Sequence, residues 1–62
     1  MNATITKEFN NDTGTWVWCV REDGATAHPN FYQDIHAVLY LADRGFNITH
    51  STKTLITMTR SR

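Results

Sequence analysis

Apolar and polar residues alternate near both ends of this chain and recur at helical spacing between them. Ala3, Ile5 and Phe9 alternate with Thr4, Thr6 and Glu8, the period-two pattern of a strand with one buried face. Trp16-Val17-Trp18-Cys19-Val20 is apolar at every position. Side chains alternate across a strand, so Trp16, Trp18 and Val20 share one face while Val17 and Cys19 share the other. Asn10-Asn11-Asp12-Thr13-Gly14 between the two runs is suited to a turn, and Asp23-Gly24 ends the second. Ala25 to His28 reads as a short third strand or a loop.

A helix is predicted next. Asn30 has the chemistry of an N-cap, with Gln33 three residues on to return the capping-box bond. Phe31, Ile35, Val38, Leu39 and Ala42 then form one apolar stripe at helical spacing. Gly45 is placed to take the left-handed conformation past the helix end, where Phe46 can meet Leu41. Period two returns afterwards, with Phe46, Ile48, Ile56 and Met58 on one parity. A single strand from 46 to 60 would be about 50 Å long, too long for so small a domain. A break near Ser51 to Lys53 is therefore expected, either a hairpin turn or a loop leading into one strand.

These elements predict an α+β fold, a small antiparallel sheet of three to four strands with one helix on one face, ordered ββαβ or ββαββ. Ile5, Phe9, Trp16, Trp18, Val20, Ile56 and Met58 are expected beneath the helix. Thr4, Thr6, Val17, Cys19, Leu55 and Thr57 are expected on the other face, which must meet solvent, a second copy or a partner. A reversed register would instead expose both tryptophans.

Sixty-two residues make a single domain, 1–62, that buries only about 60% of the surface its unfolded chain exposes. One cysteine excludes an internal disulfide. Met1-Asn2-Ala3-Thr4 has neither the basic nor the apolar region of a secretory signal, and no apolar run reaches membrane-spanning length. The expectation is a cytoplasmic protein. The Asn-x-Thr triplets at Asn2, Asn11 and Asn47 then carry no glycan and reflect the ten threonines. Six basic and six acidic residues give zero net charge, which argues against sequence-independent nucleic-acid binding. Only Lys53, Arg60 and Arg62 form a basic end.

No catalytic constellation is present. Cys19 lies mid-strand beside Trp18, where a cysteine behaves as a small hydrophobe. His28, His36 and His50 are spaced unlike any zinc pattern. Glu22-Asp23 reads as turn chemistry, and Asp34 suits a helix N-terminus. The three glycines are isolated, so no phosphate loop exists. The expectation is a protein that is not an enzyme and needs no cofactor or metal. Gln33, His36, Tyr40 and Arg44 are expected on the outer helix face, and Tyr40 and Arg44 are residue types enriched in interfaces. Val17 and Leu55 on the open sheet face, together with the sheet edges, form a second candidate contact surface.

The order of elements and the length of the chain resemble small bacteriophage or mobile-element accessory proteins, including phage inhibitors of host RNA polymerase and some anti-CRISPR proteins. That resemblance implies a protein that occupies and sterically blocks a host protein or protein–nucleic-acid complex in a bacterial cytoplasm. Two rival readings come from the residues themselves. One is a nucleic-acid-binding or regulatory domain that uses the Thr-rich sheet face, with Lys53, Arg60 and Arg62 on phosphates. The other is a structural subunit that pairs into a homodimer through its open face or a sheet edge.

Overall fold

The computed structural model describes residues 1–61, so Arg62 lies outside the described residues. The elements are β1 (Asn2–Asn10), β2 (Thr15–Glu22), β3 (Ala25–Phe31), α1 (Asp34–Ala42), β4 (Asn47–Ser51) and β5 (Leu55–Thr59). The strands form one antiparallel sheet in the order β3-β2-β1-β5-β4. The fold is α+β, but the sheet has five strands and the order is βββαββ, a strand more than the pattern predicted. Residues 25–31 hold Pro29, which has no N–H to give a ladder. An edge strand tolerates it, and the pairing of β3 with β2 shifts register on both sides of Val20. Thr52-Lys53-Thr54 is the hairpin turn at the expected break, closed by a Thr52 N–H bond to the Leu55 carbonyl at 2.7 Å.

Face assignments follow from register. Ile5 sits between Val20 and Ile56, and Ala3 pairs with Met58, so these residues share the helix side. With Ala37, Leu41 and Phe46 they make the buried core, and Trp18, Phe31, Val38 and Tyr40 pack against it. Phe9 and Trp16 also lie on this face, as a cross-strand pair. They sit at the hairpin end and stay 48% and 58% exposed, against an edge-to-face partner 5.3 Å away. Ile48 is on the same face but on edge strand β4, and remains 52% exposed.

The helix departs from the predicted stripe. Phe31 still pairs with Trp18 in the sheet, so the chain stays extended past Asn30, and α1 starts only at Asp34. Gln33 is the N-cap by backbone geometry and makes no side-chain cap bond. Asn30 instead accepts a bond from Asn10 Nδ2 at 3.0 Å. Ala37 and Leu41 are the fully buried helical residues. At about 100° per residue this turns Ile35, Leu39 and Ala42 outward and brings Tyr40 to the inner flank. The reason is steric: the methyl of Ala37 lets the helix lie close to the sheet, while Leu41, one turn on, fills the core.

The helix end is as expected. The Phe46 N–H donates to the Leu41 carbonyl and the Gly45 N–H to the Ala42 carbonyl, both at 3.0 Å, with Gly45 at φ +91°. A Cβ at Gly45 would also press on Arg60 Cδ at 3.2 Å. Gly45→Ala is therefore expected to cost about 1–2 kcal/mol. Leu41→Ala should cost about 2–5 kcal/mol, and Trp16→Ala much less because its ring is half in solvent. Urea denaturation of the three variants checks that ranking.

Candidate functional site

Two surfaces compete for a functional role: the sheet face without a helix and the outward face of α1. On the open face, Val17 and Cys19 are nearly fully buried, at 4% and 3% exposure, although α1 lies on the opposite face. Polar side chains supply the cover. Asn10 on β1 and Asn30 on β3 are hydrogen-bonded across the intervening β2. Beside them Arg21 donates from Nη1 to Glu8 Oε2 at 2.7 Å and to Thr6 Oγ1 at 3.1 Å, and Thr6 donates to Glu8 at 2.6 Å. Between these bridges lies an open cleft of about 390 Å³, with Val17, Cys19 and Pro29 among its lining residues.

Its electrostatics are internally settled. The hydrogen bond from Arg21, with a second from Thr6, holds the Glu8 carboxyl below the ordinary glutamate range, and the Glu8 bond raises the Arg21 guanidinium in turn. Burial pushes the Cys19 thiol up, the opposite of what a nucleophile needs. Among the described residues no three His, Cys, Asp or Glu side chains gather as metal ligands. His28 is stacked on Phe31 at 3.9 Å, His36 is on α1 and His50 on β4.

The residues singled out by pattern are dispersed. Val17, expected as a contact on the open face, is buried and offers no surface, while Leu55 is half-buried at the start of β5. Tyr40, expected on the outer helix face, packs inward, with its ring centroid 5.5 Å from Phe31 and 5.8 Å from His28. The Arg44 guanidinium lies 5.5 Å from the Tyr40 ring and pairs with Glu22, whose side chain is only 13% exposed. Arg44 Nη2 donates to Oε1 at 3.3 Å, while Nε sits 3.0 Å from Oε2 without the alignment of a hydrogen bond. Gln33 and His36 are exposed as expected.

In the basic end, Arg60 Nη1 donates to the Arg44 carbonyl at 2.8 Å and its guanidinium lies over Phe46 at 4.8 Å. It ties the end of the sheet to the end of the helix, so it is not a free phosphate contact. Lys53 is exposed in the β4–β5 turn, and Arg62 falls outside the described residues. No described helix is long and apolar enough to cross a membrane.

What the pattern missed is the outward face of α1. Ile35 is 51% exposed, Leu39 54%, and Tyr32 just before the helix 65%. Spacing assigns Ile35 and Leu39 to the core, yet Ala37 and Leu41 have the same i, i+4 relation and only one pair can face inward. The small size of Ala37 was the available signal. No family model, curated protein or solved structure matches the chain.

The open face yields one pH test. Because the Glu8 carboxyl is lowered in the folded chain, its stabilisation is present above the unfolded value near 4.5 and is lost as pH falls through the native one. Both side chains are over a third exposed, so the loss should be at most about 1 kcal/mol. Acid titration of urea midpoints should show this increment in the native chain and not in Glu8→Gln. Cys19 should react with a disulfide reagent only as fast as the fold opens, which a thiol-release assay reads directly.

Proposed function

We propose that this chain is a non-enzymatic binding protein whose contact surface is the outward face of α1. The observation that carries the reading is the pair Ile35 and Leu39, one turn apart on the solvent side of the only helix among the described residues and each about half exposed. Single exposed apolar residues need no explanation, whereas a ridge of them marks a contact surface. Ala42 continues the ridge at i+7 and Tyr32 precedes it, both exposed. Apolar anchors at i, i+4 and i+7 are the form in which a helix enters an apolar protein surface. Steric blocking of a host protein, the role implied by the layout, is one outcome such a contact can have. The settled charges of the open face, and Arg60's engagement in the fold, support this reading over one built on phosphate binding.

Ile35→Ser with Leu39→Ser should leave the far-UV circular dichroism unchanged and lower stability by about 1 kcal/mol or less. The same double change should abolish association with whatever protein the native chain retains on an affinity column. Equal retention by both forms would overturn the reading.

A further inference from the structure

The ridge has a flank of its own. His36 and Asp43 lie seven residues apart along the same side of it, and both are exposed. Asp43 keeps helical backbone at φ −62°, ψ −22°, directly after the last residue of α1. It makes no ion pair among the described residues, and the last turn holds no basic residue. A carboxylate at this end of a helix opposes the dipole, a cost that folding does not require.

Resting on the reading that the outward face of α1 is a contact surface, we infer that its partner is a second copy of this chain, with the two helices packed antiparallel about a two-fold axis at Leu39. In that arrangement a residue n positions before Leu39 faces the residue n positions after it in the other copy. Leu39 meets Leu39. Ile35 lies over the Ala42–Asp43 turn, where the small Ala42 side chain permits close approach. His36, on its flank, is brought beside Asp43 of the second copy, and the symmetry makes this pair twice. One surface is therefore complementary to itself, as an isologous interface must be. The chain carries zero net charge, so no long-range repulsion opposes the encounter. The second sheet then lies on the far side of the helix pair, giving a sheet–helix–helix–sheet stack.

The seam is short. Nine helical residues span about 13 Å, while a typical interface takes about 800 Å² per partner, a fifth of the 4074 Å² surface. Association is therefore weak and concentration-dependent, and sedimentation equilibrium over a wide concentration range is the measurement. The native chain of 7.1 kDa should approach twice that mass as concentration rises. Leu39→Ser should remove the dimer. Asp43→Lys should weaken it severalfold, and adding His36→Asp to Asp43→Lys should restore it by placing opposite charges across the axis. Circular dichroism of each variant confirms that the fold is kept, since all three side chains point outward.

A native chain that stays monomeric throughout overturns the inference. If affinity-column retention of a different protein then still depends on Ile35 and Leu39, the contact-surface reading stands without it. A dimer indifferent to Leu39→Ser and Asp43→Lys places self-association elsewhere and overturns the inference. If retention is equally indifferent to Ile35 and Leu39, the contact-surface reading falls with it.

Discussion

The close seating of α1 on the sheet through Ala37 and Leu41 governs nearly everything else in this molecule. Both residues are fully buried in the cluster formed with Ile5, Val20 and Met58. A helix whose inner contact is a methyl group at one turn and an isobutyl group at the next can lie near the strands, and interiors of this size gain most from such density. Its azimuth is then fixed. Tyr40 is carried to the inner flank, where Phe31 and His28 receive it, and Arg44 reaches Glu22 on β2. Ile35 and Leu39 are carried outward by the same rotation. The end of the helix is held as firmly, because Gly45 turns the chain and Arg60 returns from the last strand to the Arg44 carbonyl.

One helix covers one face, and the other face has to be managed without a second layer. The chain does so with polar side chains long enough to bridge strands. Asn10 and Asn30 join across β2, and Arg21 reaches Glu8 and Thr6 diagonally. Such bonds contribute little net free energy each. They nevertheless exclude water from Val17 and Cys19, so a few apolar contacts are gained on a face that would otherwise be wet. This arrangement also consumes the charged groups that could have bound a ligand there. A face that reads as vacant by composition is bridged by its own side chains, with the cleft left between the bridges.

The strands, their faces and most turns were legible because period-two alternation and positive-φ residues are local signals. Asp23 and Gly24 both have positive φ, at 49° and 87°, as their place between two strands requires. Three features were not legible, each because a non-local contact decides it. The pattern left Ala25 to His28 open between a strand and a loop, and only its place at the sheet edge lets the strand run on through Pro29 to Phe31. Asn30 is a good cap in isolation, but Phe31 is held in the sheet opposite Trp18 and delays the helix. The azimuth of α1 depended on choosing between Ile35–Leu39 and Ala37–Leu41, two apolar pairs with the same spacing, and only the shape of the sheet beneath distinguishes them. The candidate site was missed for that last reason, since the residues that form it are those the spacing assigned to the core.

The two faces of α1 differ in how well they serve folding. On the inner face side-chain size suits the packing: Ala37 is small against the sheet, Leu41 fills the core and Tyr40 lies on the flank. On the outer face several choices run against folding. Ile35 is β-branched at an exposed helical position, where Ala, Lys or Glu would favour the helix more. Leu39 leaves about half of its surface in water. Asp43 adds negative charge where the helix already ends negative, with no basic residue in the last turn to offset it. Each cost is a fraction of a kcal/mol, too small to unfold even a marginal domain and too consistently placed to reflect packing. A sequence in which the local rules hold on one side of a helix and lapse on the other has its second constraint on the side where they lapse. Under the proposed reading that constraint is association, carried by Ile35, His36, Leu39 and Asp43.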